Sequence, residues 1–284
     1  MCRLFALHAG HRDVAAEFWL LEAPRSMAAL SEVNADGFGL AALTSADGLL
    51  LVRQPVQAAR SRTYQGIARH ATACQFLVHL RYADTGAVGL ANTHPFLQDG
   101  RVFAHNGVVG DLERLEHRLG EHRAMVSGDT DSERLFALIT LAIRAAGGDV
   151  AAGIAGAVRE LAEEYQLYSI NFVLGAVGHL WAFRYPEHNP LMLLEHAHRV
   201  EHDDMVGGDS HGTLRLRADE APMVLVASEA MDADPSWEDV GVGELVHVGP
   251  DLRVERRTLL TEPPRHPMTL SGPAEQSQAY ERDE

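Results

Sequence analysis

An α+β fold built on antiparallel sheets follows from three features of the 284-residue sequence. Short apolar runs of strand length crowd its opening part, two long helical patterns sit together in the middle, and strand-like runs then return. Strands grouped in this way pair with their chain neighbours, whereas strict alternation of strand and helix would point to a parallel sheet.

The elements read as follows. CRLFAL is a short apolar strand, and DVAAEFWLLEA, at 13–23, carries helical apolar spacing. FGLAAL and GLLLVRQ form a strand pair around the turn residues Ser45, Ala46, Asp47 and Gly48. RSRTYQGIARH suits a helix, CQFLVHLRY a buried strand ending in charge, and RVFAHNG a short strand running into a glycine turn. GDTDSERLFALITLAIRAAGG has the polar start and double-glycine stop of a helix, and AAGIAGAVRELAEEYQ is a second. LYSINFVLGAV, HLWAFRY, LMLLEHA, MVLVASE, GELVHVG and LRVERRTLL are the later strands, interrupted by a polar excursion from about His198 to Ala221. Residues 2–260 are expected to form one domain. Residues 261–284, rich in proline and charge, are expected to be a poorly ordered tail.

Composition narrows the chemistry. With 40 acidic against 24 basic residues the net charge is −16, which repels a phosphate backbone and argues against nucleic-acid or anionic-membrane partners. Every basic residue is arginine, so a Schiff-base lysine and a P-loop lysine are both excluded. Two cysteines, Cys2 and Cys74, are too few for a disulfide framework, and no stretch has the form of a signal peptide or a membrane span. A cytoplasmic protein is expected. The 16 histidines show no metal-ligand spacing, and no dinucleotide fingerprint follows an N-terminal strand, so neither a metal nor a redox cofactor is expected.

Cys2 stands directly behind Met1. If Met1 is removed, one residue carries both a thiol and an α-amine titrating near pH ~8, so the nucleophile brings its own base. An ordinary buried thiol is the other reading of Cys2. Four further stretches bear on the choice: NADGFGLA at 34–41, HLRYADTGAVGLANTHPF at 79–96, FAHNGVV at 103–109 and GDTDSERLF at 128–136. Arg81, ending a strand, has the planar fork that binds a carboxylate, or else serves a structural ion pair. Asn106 and the N–H of Gly107 suit an oxyanion, and the same dipeptide suits a tight turn. Asp129, Thr130 and Ser132 are available as helix caps, and Asp131 either belongs to the same structural helix start or offers a carboxylate to a substrate ammonium.

In this order behind Cys2, the stretches resemble the class II glutamine amidotransferase domain of the N-terminal-nucleophile hydrolases. MCRL, NADGFGLA, ANTHPF and VASEAMDADPSW bring the likeness closer to the free-standing branch that includes YafJ-like proteins and the ergothioneine-pathway γ-glutamyl hydrolase. The resemblance covers residues 2–260 and implies a four-layer αββα fold with two stacked antiparallel sheets. It implies that Cys2 attacks a γ-carbonyl carbon, that Asn106 and Gly107 form the oxyanion hole, that Arg81 holds the substrate α-carboxylate and that Asp131 holds its α-ammonium. Asp84 stands where synthase-linked members carry threonine, with Thr85 following, and Arg3 stands where they carry glycine. Gly37 and Gly39 are expected to permit close backbone approach.

Among the remaining candidates, His94 is expected to be structural and close to the site, and Cys74 to be core. Ser228, Glu229 and Trp237 either line the mouth of the pocket or belong to a loop held by its own turn residues. The expected function is hydrolysis of a γ-glutamyl amide through a Cys2 thioester, releasing glutamate from a small-molecule γ-glutamyl substrate. Delivery of ammonia to a separate synthase partner, and a catalytically silent binding module, are the two other readings.

Overall fold

The computed structural model describes residues 1–83, 87–195 and 221–270. Its main elements are twelve strands and four helices. They are β1 (Arg3–His8), β2 (Gly37–Leu43), β3 (Leu49–Gln54), α1 (Arg62–His70), β4 (Gln75–Arg81), β5 (Phe96–Gln98), β6 (Arg101–Val109), α2 (Leu112–Leu119), α3 (Asp131–Ala145), α4 (Val150–Glu164), β7 (Gln166–Ala176), β8 (His179–Arg184), β9 (Met192–Glu195), β10 (Val224–Ala227), β11 (Glu244–Val248) and β12 (Val254–Thr258). One sheet runs Glu238–Asp239, β9, β10, β1, β4, β2, β3, and the other runs β12, β11, β8, β7, β6, β5. Neighbouring strands in both orders are antiparallel.

Three apolar layers follow from strand alternation. Leu4, Ala6, Ala41 and Leu77 of the first sheet meet Val102, Ala104, Val173 and Ala182 of the second in a core of small aliphatics, so the sheets stack face to face. The other face of the first sheet, with Phe5, Phe38 and Phe76, is covered by Trp19, Leu20, Met27 and Tyr64. The other face of the second, with Phe103, Phe172 and Phe183, is covered by α3 and α4 through Leu135, Phe136, Ile154 and Val158. The result is a four-layer αββα arrangement. Both sheets are covered on both faces, which is why β1 and β4 read as continuous apolar runs rather than as alternation.

Several expectations are corrected. Of DVAAEFWLLEA only Phe18–Glu22 forms a turn, of the wide i→i+5 kind. Val14–Ala15 pairs instead with Thr72–Ala73, and the turn closes at Ala23, before Pro24, whose ring disfavours a helical predecessor. RVFAHNG does not end in a glycine turn: β6 runs through Asn106 and Gly107 to Val109, because both residues pair with Asn171 and Ile170 of β7. The helix α2, with Leu115 and Leu119 buried one turn apart, was not read from the sequence. Of the expected tail, residues 261–270 include His266–Pro267, which pairs in parallel with Gln166–Leu167, flanked by bonds from Arg265 N–H to Ala162 and from Met268 N–H to Leu167. The 198–220 excursion, Asp84, Thr85 and residues 271–284 lie outside the described residues.

Gly39 explains how the NTHP segment reaches the first sheet. It pairs with His79 across β2 and β4, and a Cβ there would overlap the His94 carbonyl and crowd Pro95 Cδ. The absent side chain is therefore the slot that His94 and Pro95 occupy. Inserting a methyl group into a packed interior costs about 1–3 kcal/mol. Gly39→Ala is accordingly expected to lower the urea midpoint by at least that free energy at unchanged m-value. An unmoved midpoint would show that the 94–95 backbone yields.

Candidate active site

Cys2 lies one step beyond the Arg3–Leu80 pair of the β1–β4 ladder, level with Arg81 at the end of β4. Its partly buried thiol rests on the backbone of Tyr82, accepting from the N–H at 3.4 Å and donating to the carbonyl oxygen at 3.5 Å. Around the thiol, one pocket brings together Cys2, Arg81, Gly107 and Asp131. Four of the five residues singled out in the sequence thus meet across both sheets and the start of α3. Tyr82, His94, His105, Thr130 and Ser132 complete the wall.

The fifth, Asn106, is buried but is not part of that wall. Val102 and Ala104 face the space between the sheets, so alternation turns Asn106 the same way, just as Leu4 and Ala6 turn Cys2 toward it from the other side. Gly107 must lack a side chain, because a Cβ would overlap the Ser169 carbonyl on β7.

Each polar residue of GDTDSE has a defined partner or position. The Thr130 hydroxyl caps α3 by accepting from Glu133 N–H at 3.3 Å, and Glu133 reaches back to accept from Gly128 N–H at 2.7 Å. Asp131 is only 3% exposed: Oδ2 accepts from Val109 N–H at 2.8 Å, and Oδ1 accepts from Ser132 N–H at 2.8 Å. Burial pushes its carboxyl up from the ordinary range, opposed by these same hydrogen bonds. Two carboxylate oxygens offer about four lone-pair sites, so accepting capacity remains for a ligand. Arg81 is equally buried, with Nη1 donating to the Ala87 carbonyl at 3.0 Å.

His105, which the sequence reading did not single out, anchors the wall. Its Nδ1 lies 2.9 Å from Ser132 Oγ and its Nε2 lies 3.3 Å from the Ser169 carbonyl oxygen. Its place before Asn106 in a strand was the available signal. His94 on the pocket wall meets His79 behind it at 4.1 Å between ring centroids, the rings tilted by 36° and both buried. Cys74, immediately before β4, is a buried thiol whose pKa burial raises.

The VASEAMDADPSW loop supports β1 rather than the pocket. Ser228 Oγ accepts from Leu4 N–H at 2.9 Å, and Glu229 holds Arg3 at 2.7 Å and Arg25 at 3.0 Å. Trp237 donates to Asp232 at 2.8 Å and packs edge-on against Trp19, while Asp234 accepts from Ser236 N–H. Among the described residues no group of three or more His, Cys, Asp or Glu side chains is placed to hold a metal, and no helix is long and apolar enough to cross a membrane.

Comparison with known proteins identifies the family. The model of the family described as "Glutamine amidotransferases class-II" matches residues 1–261. The chain belongs to the class II glutamine amidotransferases. A Haemophilus influenzae protein named as a glutamine amidotransferase is 30% identical over 142 residues, 48% of this chain and 46% of its own. The Escherichia coli protein YafJ is 42% identical over 67 residues, 22% of this chain and 25% of its own. The glutamine phosphoribosylpyrophosphate amidotransferase structure from B. subtilis superposes with a TM-score of 0.64 at 16% identity, covering 92% of this chain and 50% of that one. The chain thus spans about half or less of the length of these relatives.

The histidine pair gives this amidotransferase fold an acid limit. Burial above all, with the charges of Arg81 and His105, lowers His79 to about 3, and burial holds His94 well below its usual value. An unfolded histidine titrates near ~6.5, so between that pH and 3 the unfolded chain binds a proton that the native chain refuses. The stability contributed by neutral His79 is complete above about pH 6.5 and is lost as pH falls toward 3, at up to about 1.4 kcal/mol per unit. Melting temperature should fall through this window, and His79→Phe, which keeps an aromatic ring, should flatten the dependence. Equal slopes in thermal melts of the two proteins would remove His79 as the cause.

Proposed function

We propose that this amidotransferase hydrolyses a γ-glutamyl amide through a thioester on Cys2. The observation that carries the reading is a thiol sharing one pocket with a buried guanidinium, Arg81, and a buried carboxylate, Asp131. A glutamyl group presents an α-carboxylate, an α-ammonium and a γ-carbonyl at fixed separations, and one cation, one anion and one nucleophile match it in kind.

Once Met1 is removed, the Cys2 thiol proton passes to the α-amine, through a water, as Sγ bonds to the γ-carbonyl carbon. Asn106 and the N–H of Gly107 stabilise the oxyanion. The amine then returns the proton to the leaving nitrogen as the C–N bond breaks, leaving the glutamyl thioester. Water adds to the thioester with the amine again as base, and the C–S bond breaks to release glutamate and restore the thiol.

The released amine has two chemical fates. Free-standing turnover of a substituted γ-glutamyl compound is favoured by Arg3, tied to Glu229 beside the nucleophile. Ammonia delivery to a synthase partner is favoured by the B. subtilis likeness, in which this chain covers half of the longer protein.

Intact mass before and after 6-diazo-5-oxo-norleucine tests the reading. Loss of Met1 and a single adduct on Cys2 are expected, with none on Cys2→Ala. A mature chain that stays unlabelled would overturn it. Asn106→Ala should stay folded and lose about 10²- to 10³-fold in kcat.

A further inference from the structure

We propose that Asn92 is a positioning residue: a strut that fixes the separation between Arg81 and the Asp131 turn, and with it selectivity for the α-amino-acid end of the substrate. This rests on the proposed function. Asn92 ends the short 3-10 turn Leu90–Asn92 and is 4% exposed. Its Oδ1 accepts from Asp129 N–H at 2.8 Å, two residues before Asp131. Its Nδ2 donates to the Ala87 carbonyl at 3.0 Å, and that same oxygen receives Arg81 Nη1 at 3.0 Å. One side chain therefore joins the backbone that carries the carboxylate to the carbonyl that orients the guanidinium.

The amide is used at both ends and in opposite senses, which is what distinguishes asparagine from its isosteres. Aspartate lacks the donor and would set its charge against the Ala87 carbonyl oxygen, and leucine lacks both functions. The turn is shaped around it: a Cβ on Gly128 would overlap Asn92 Oδ1, while Gly128 N–H is held by Glu133. Each arm also has bonds independent of Asn92. Asp131 keeps Val109 and Ser132, and Arg81 keeps its pairing with Gly37. Cutting the strut should therefore leave both groups present but loosen their spacing, and a loosened spacing weakens recognition of a rigid two-charge ligand without altering the thiol.

The test is the rate of Cys2 labelling in the Met1-free full chain, followed by mass. 6-Diazo-5-oxo-norleucine carries both the α-carboxylate and the α-ammonium, whereas iodoacetamide carries neither. In Asn92→Ala, KI for the diazo compound should rise roughly 10-fold, the loss expected for severed buried hydrogen bonds. Its kinact and the iodoacetamide rate should stay at the wild-type values. Asn92→Asp, whose charge opposes the Ala87 carbonyl, should raise KI at least as much. Wild-type labelling with an unchanged KI in both variants would overturn the strut alone. Equal loss toward both reagents, or loss of the folded state in both variants, would also overturn it by making Asn92 a fold element. A mature wild-type chain unreactive toward the diazo compound would overturn the proposed function together with it.

Discussion

The constraint on which the site depends is the double pairing of β1. That strand is hydrogen-bonded to β4 along one edge and to β10 along the other, in the middle of the first sheet. Residues 3–8 have no freedom to slide, since a one-residue slip would exchange the face bearing Leu4 and Ala6 for the face bearing Phe5 and Leu7. Cys2 is thereby fixed beside Arg81, and Ser228 and Glu229 brace the start of the strand through Leu4 and Arg3.

The remainder of the site is brought to that fixed point by glycines at three close approaches. Gly39 admits the His94 backbone onto the first sheet, Gly107 lets β6 press against Ser169, and Gly128 leaves room for Asn92. In each case the missing side chain is replaced by another residue's polar group, so these glycines serve packing rather than turns. The site also tolerates buried polarity of two kinds. Asp131 and Arg81 have polar partners, while the His79–His94 pair is held neutral by burial. That contrast sets two hydrogen-bonded groups beside Cys2 against a histidine pair that burial keeps uncharged at neutral pH.

Much of this was legible in the sequence because it is local or periodic. The apolar runs gave the strands, the polar start GDTDSE and the double glycine bounded α3, and the order of blocks behind Cys2 pointed to the family. What failed was also local. DVAAEFWLLEA has helical spacing, yet tertiary burial of Trp19 and Leu20 and the following Pro24 reduce it to a single wide turn. Asn106 and Gly107 favour a turn in isolation, but pairing with β7 outweighs that preference.

By itself the sequence determined which residue types were present for the chemistry, their order, and a layered α+β class, since these depend on composition and short-range periodicity. Only the tertiary structure decided that Arg81, Gly107 and Asp131 share a pocket with Cys2, that Asn106 faces the space between the sheets, and that His105 and Asn92 brace the walls. Those relations join positions up to 129 residues apart, from Cys2 to Asp131, and are set by sheet register and close packing. No local pattern encodes them, because register is fixed by the sum of many side-chain contacts rather than by any one stretch.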